Sequence, residues 1–443
     1  MKSSIITELR ARRIWDSRGR PTIEAQVELD DGSIGLGQAP AGASTGRHEA
    51  LELRDGDQIF GGYDVQNAIR QCQGVIRPRL LGQPASNQSA IDQLLIESDP
   101  DPNKARIGAN TTLAVSLACA KAAAVSNHLP LYAQLACEAA GLPGQTSPQA
   151  PWQLPLPQIQ IFGGGVHAER SIDIQDLMIT CPAADSVAEA LAWTARVYRA
   201  AGEIMRKRRS MSGVADEGGW WPNFKNNEEA LDTLLESIET AGLKPGEQVW
   251  MALDIAATQL FSKGTYQLAL EQRQLKAEAM IDLLKDWVDR YPIASIEDPL
   301  AEDDRSGFLA FTQVLGKRLQ IVGDDFLVTS AQRIREAARQ GAANAVLIKP
   351  NQRGTLSEAL DAWRTASGLG YQGIVSARSG ETEDHSIVHL AIGWRVPQLK
   401  VGSFSRGERM VKWNELLRLE DQLGGQAFFA GASALSQLGA LRC

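Results

Sequence analysis

At 443 residues the chain exceeds the size at which one hydrophobic core usually stops growing, so two domains are expected, one of them large enough for a barrel. Hydrophobic residues at 44% and charged residues at 22% exclude disordered, collagen-like and disulfide-scaffold classes. The net charge of -8 makes a nucleic-acid backbone an unfavourable partner.

In chain order, the opening MKSSIITELRARRIW has no apolar stretch of the kind a signal peptide needs, which gives a cytoplasmic expectation. Between Ile5 and Gly37, TIEAQVELDDGSIGLG holds two alternating runs joined by Asp-Asp-Gly-Ser, the signature of a hairpin in a small sheet. Helical patterns follow over Asp64 to Leu81, Asn87 to Ser98 and Thr111 to Ala140, making residues 1–140 an α+β unit. The alanine-rich stretch from Thr111 to Ser126, interrupted by Lys121, predicts a buried helix and no membrane span. Five cysteines, Cys72, Cys119, Cys137, Cys181 and Cys443, form no CxxC pair and read as structural thiols of a reducing compartment.

GLPGQTSPQAPWQLPLP, Gly141 to Pro157, is dense in proline and polar residues and is read as a linker. From 158 to 443, short apolar strands alternate with amphipathic helices such as Ala277 to Arg290, Ala331 to Gln340 and Leu356 to Ser367. Repeated strand-then-helix units with right-handed crossovers predict a closed (β/α) barrel.

Polar residues end the apolar runs: Asp254 after VWMAL, Glu297 in IASIED, Asp324 in LQIVGDD, Lys349 after AVLI, Arg378 in GIVSARS, and Lys400 after QL. That is the face on which barrel enzymes build their sites. Asp254, Glu297 and Asp324 would repel one another without a cation between them, and oxygen-only ligation suits Mg²⁺. Taken singly, each more simply caps a helix or pairs with a lysine. Lys349, desolvated beside a cation, would have a depressed pKa and serve as a general base; an ordinary salt bridge is the alternative. Lys400 would be a second base or a clamp on a substrate carboxylate. Arg378 and Ser379 offer a fork and a hydroxyl for a phosphate or carboxylate, although an ion pair explains Arg378 alone nearly as well. The loop Gly42-Ala43-Ser44-Thr45-Gly46 would close over a ligand and bring Ser44 to a metal.

With those residues in view, the chain resembles the enolase family along nearly its whole length. DSRGRPTIE, GASTGRHEALELRDGD, DEGG, SIEDPLAEDD, VGDD, NQRGTLSEA and RSGETED are similar to that family's segments and stand in the same order. The resemblance implies an N-terminal α+β capping domain, a (β/α)8 barrel with a ββαα start, a homodimer or higher homo-oligomer, and two Mg²⁺ ions per site. It also implies a small phosphorylated carboxylate substrate, 2-phosphoglycerate, dehydrated to phosphoenolpyruvate in glycolysis. By position, Asp254, Glu297 and Asp324 match first-metal ligands, and Ser44 a ligand of the second. Lys349 matches the base, Glu217 of DEGG the acid that assists hydroxide departure, and His167 in GGGVHAER the mobile-loop histidine. Lys400 matches a holder of the carboxylate, and Arg378 and Ser379 holders of the phosphate.

The chain departs from the family pattern at the leaving-group end. Ala377 stands where a histidine precedes the Arg-Ser pair, and Asp176, after Gln175, stands where the family has glutamate. Val166, Glu169 and Arg170 replace small or amide residues of the histidine loop. His167 and His385 are the candidates to replace the missing imidazole. The alternatives to the ordinary reaction are an enolase-derived lyase or synthase acting on a modified substrate, such as a phosphonate, and a catalytically silent enolase-like binding protein.

Overall fold

The computed structural model describes residues 4–43, 45–141 and 151–435. The expected hairpin forms from Pro21–Leu29 and Ile34–Gln38, with Gly32 at φ 84° in the turn, and Ile6–Trp15 adds a third antiparallel strand on the far side. Helix Ala109–Ser126 lies across this sheet. Its alanines allow the approach, and so do two strand glycines: a Cβ on Gly37 would stand 2.1 Å from the Ala114 carbonyl oxygen, and one on Gly35 2.0 Å from that of Ala118. Both obstacles are backbone, so Gly37→Ala forces the helix off the sheet. It is expected to cost on the order of 1–3 kcal/mol, read as a lower urea midpoint; an unchanged midpoint would mean that the helix shifts freely.

The predicted single helix over Thr111 to Ala140 is two, Ala109–Ser126 and Leu131–Ala139. His128 turns left-handed at φ 55° and Pro130 precedes the second helix, so proline sterics break a run that alanine content alone would continue. The helical run expected from Asp64 begins at Gln66 and passes through a π-helical turn at Cys72–Ile76. Helix Gln88–Ile96 starts where Asn87 accepts a hydrogen bond from the Ala90 amide.

The barrel strands are Leu156–Gly163, Asp176–Thr180, Trp250–Asp254, Ile293–Glu297, Gln320–Gly323, Ala345–Ile348, Gln372–Ser376 and Gln398–Ser403. Each pairs with the next and the last with the first, closing an eight-stranded barrel. Only the second strand runs antiparallel to its neighbours. Two helices, Val187–Arg208 and Asn227–Thr240, separate it from the third strand, which gives the ββαα start. The barrel begins at Leu156, two residues before the expected boundary, and Trp152–Leu154 already pairs with Ala427–Phe429. Prolines that read as linker sit beside or within short strands there. The rest of the expected linker, residues 142–150, lies outside the described residues.

Cys72, Cys119 and Cys181 are free thiols, these three and Cys137 are buried, and Cys443 lies outside the described residues. Among the described residues no helix is long and apolar enough to cross a membrane.

Candidate active site

Parallel pairing in register brings the strand ends to one face. Asp254 is opposite Glu297, and Ser376 opposite Lys400. Asp254 and Glu297 close their strands, Asp324 and Lys349 follow theirs directly, and Arg378 and Ser379 lie just beyond Ser376. Lys400 differs from expectation: it is third of six residues in its strand, which continues through an irregularity to Gly402. Its long side chain still reaches the mouth, where Nζ lies 2.7 Å from Glu297 Oε2, 3.2 Å from Asp254 Oδ2 and 3.6 Å from Asp176 Oδ2.

The three predicted metal carboxylates thus share the mouth with two lysines: Lys400 joins Asp254 and Glu297, and Lys349 pairs with Asp324. Burial pushes the Glu297 carboxyl well above its ordinary range and Asp254 adds to the push. Its Oε1 is buried without a hydrogen-bond partner among the described residues. Burial also raises Asp324, but Lys349 and Arg378 outweigh it and hold Asp324 low. The depressed amine expected of Lys349 is that of a lysine beside a cation; among protein groups alone the balance is different. Burial does lower the amine, yet the Asp324 carboxylate beside it wins and its pKa lies above the ordinary value. Contact between those two side chains was not visible in their spacing of 25 residues.

Two acids that the sequence reading passed over complete this side. Asp298 accepts from the Asp324 and Asp325 amides at 3.0 and 2.7 Å, shaping the VGDD turn. Asp298, Asp324 and Asp325 bring carboxylate oxygens within 4.8 Å of one another, and burial with mutual repulsion raises Asp298 and Asp325. The doubled aspartate and the Glu-Asp pair were the available signals. Gln175, expected on substrate, lines the mouth, donates to Asp254 Oδ2 at 3.1 Å and accepts from Gln259.

On the opposite side His167, Asp176 and Glu217 cluster within 4.8 Å, with His167 Nε2 3.9 Å from Glu217. Burial and the Glu217 charge raise Asp176 to about 6. Burial raises Glu217 too, but His167, Arg409 and Lys400 outweigh it and hold Glu217 below its ordinary value. Neighbouring acids pushed apart in this way divide protonated and charged roles, and here the proton rests more readily on Asp176 than on Glu217. Ala377 and His167 line the same mouth; His385 does not, being engaged with His389 elsewhere.

The N-terminal domain reaches over the mouth through Ala41, which forms an isolated bridge with Gly380. Ser379 Oγ accepts from the Ala43 amide at 2.6 Å and from Arg18 Nη1 at 3.3 Å. Arg378 is buried and donates to Glu49 at 2.9 Å and to Asn351 at 3.0 Å. Ser44 falls outside the described residues. Arg409, fully buried, donates to the carbonyls of Arg378 and Val401, fixing the loop that carries the fork.

A barrel of this order, with lysines and acids at its mouth, agrees with what comparison with known proteins finds. The family model described as enolase, C-terminal TIM barrel domain, matches residues 151–438, and that for the enolase N-terminal domain matches residues 6–135. The protein named Enolase 1 from Desulfitobacterium hafniense (strain Y51) is 45% identical over 442 residues, covering 99% of each chain. The chain belongs to the enolase family. As an enolase-like lyase it carries both family domains, and the acidic clusters at its mouth are candidate metal sites.

Proposed function

We propose that the chain is a Mg²⁺-dependent hydro-lyase interconverting 2-phosphoglycerate and phosphoenolpyruvate, with a cytoplasmic setting and a homodimeric or higher assembly as part of the same reading. The observation that carries it is a buried lysine, Lys349, set among strand-end carboxylates of which one oxygen, Glu297 Oε1, is buried and has no hydrogen-bond partner among the described residues. Asp254, Glu297 and Asp324 form an all-oxygen donor set suited to a hard divalent cation, and Ser44 is the candidate for a second ion. When bound, the cations supply positive charge to the substrate carboxylate and to the negative charge that develops as its α-proton leaves.

Lys349 takes that proton. Asp324 decides whether Lys349 is a base: facing the lysine alone it holds the proton on, and when its charge is shared with another partner, burial favours the neutral amine. Lys400 holds the substrate carboxylate, while Arg378 and Ser379 hold the phosphate. Asp176, the higher of the two acids, delivers a proton to the departing hydroxyl, and Glu217 with His167 sets its charge. Gln175 orients Asp254.

Turnover of 2-phosphoglycerate and thermal melts, each in EDTA and in excess Mg²⁺, test the reading. Turnover is expected only with Mg²⁺, together with a higher melting temperature; binding to the native state alone adds about 2.7 kcal/mol at a hundredfold excess over Kd. Identical melts and no turnover in either condition would overturn it and favour the silent binding protein.

A second reading is an enolase-derived lyase or synthase for a modified substrate such as a phosphonate. The Ala377 methyl lining the mouth, where the family pattern has an imidazole, favours it.

A further inference from the structure

Away from the barrel mouth, two histidines and a glutamate converge between helices Ser386–Gly393 and Gly407–Leu423. His385 precedes the first helix and His389 follows one turn later, so the two imidazoles stand on one side. Glu415 comes from the second helix. His389 Nε2 lies 3.2 Å from His385 Nδ1 and 3.3 Å from Glu415 Oε1. None of the three lines the catalytic mouth.

Hydrogen bonding alone leaves this arrangement short of protons. A proton on His389 Nε2 serves the carboxylate or the neighbouring nitrogen but not both well, and a proton on His385 Nδ1 leaves Nε2 facing the carboxylate lone pair to lone pair. In every case His389 Nδ1 is buried without a hydrogen-bond partner among the described residues. Three lone-pair atoms that converge on too few protons are what a cation would unite.

We propose that His385, His389 and Glu415 form a binding site for a divalent transition-metal ion of the Zn²⁺ class, separate from the catalytic mouth. Tetrahedral bonds of about 2.0–2.1 Å set ligand atoms about 3.3–3.4 Å apart, which matches the two separations. Two nitrogens and one oxygen suit Zn²⁺ or Cu²⁺ better than Mg²⁺. The site is also oriented from behind. Arg418 donates to the other Glu415 oxygen at 2.9 Å, and the Tyr132 ring lies parallel to that of His389, with centroids 6.2 Å apart. His385 and Glu415 are half-buried, leaving a fourth position for water.

The test uses the full chain in excess Mg²⁺, so that hard-cation sites are occupied, and follows Zn²⁺ uptake by equilibrium dialysis in wild type, His389→Ala and Glu415→Gln. Wild type should take up one more Zn²⁺ per chain than His389→Ala, and Glu415→Gln should bind that ion at least tenfold more weakly. Equal uptake by all three would overturn the site and leave a hydrogen-bonded triad. Copper provides a check that needs no variant: Cu²⁺-loaded wild type should show electron paramagnetic coupling to two imidazole nitrogens. The chain has five histidines, and His385 with His389 is the pair in contact. A copper spectrum lacking two-nitrogen coupling would equally sink the proposal, whether or not the variants fold.

Discussion

Lys349→Met is expected to reduce exchange of the substrate's α-hydrogen with deuterated solvent by about 10³-fold or more, within the range for loss of a general base. Methionine keeps the apolar stem of lysine out to Cε and removes the amine, so the barrel wall is preserved. The same change should have a second, opposite-looking signature. Asp324 loses its closest cation and keeps Gln352 Nε2 at 2.8 Å, so a buried carboxylate stands less well compensated. Removing one partner of a buried pair typically costs about 3–5 kcal/mol, and the variant should melt below wild type in EDTA. Excess Mg²⁺ should recover most of that loss, because Asp324 remains free to bind it. Exchange at near wild-type rate would remove Lys349 from the role of base. A variant that neither exchanges nor responds to Mg²⁺ would instead point to collapse of the whole mouth.

The barrel was legible because each strand is a short apolar run closed by a polar residue, and helices Ala277–Arg290 and Ala331–Gln340 begin and end where the pattern puts them. Two errors share one cause. Pro130 lies in a helical composition and Pro157 in a polar one, and in both cases local content outweighed the proline: the first breaks a helix, the second sits inside a barrel strand. Sequence spacing also does not reveal that Gly35 and Gly37 exist to admit a helix backbone, since that depends on an element some 75 residues further on.

At the site, strand-end position was readable and partnership was not. Asp254, Glu297, Asp324 and Lys349 come together because parallel strands share a register. Which acid faces which lysine depends on side-chain reach, which strand-end position does not carry. Glu49 and Asn351 on Arg378, and Arg18 on Ser379, were hidden for another reason. Glu49 and Arg18 come from the capping domain, and no barrel periodicity points to them. Only the ordered family segments GASTGRHEALELRDGD and DSRGRPTIE flagged those stretches, without assigning either residue a part.

Restoring the family residues, Ala377→His together with Asp176→Glu, is expected to raise net dehydration of 2-phosphoglycerate roughly 10- to 100-fold, the low end for general-acid assistance. Among the described residues, His167 is the one histidine lining the mouth, and it is already close to Glu217. His385, the other candidate to stand in for the missing imidazole, is held by His389. Asp176 is tethered by Gln160 and lies 3.6 Å from Lys400, so its shorter side chain draws the proton donor toward the barrel wall. Proton removal depends on Lys349 and not on these groups, so wild type should exchange the α-hydrogen faster than it loses water, and the ratio should fall in the double variant. Because Asp176 is fully enclosed, its added methylene must displace a neighbour; the single variant Ala377→His therefore separates gain of the imidazole from strain at residue 176. If wild type already dehydrates as fast as it exchanges and both variants are slower, His167 with Asp176 suffices as the acid, and the two departures are adaptations within ordinary turnover of 2-phosphoglycerate.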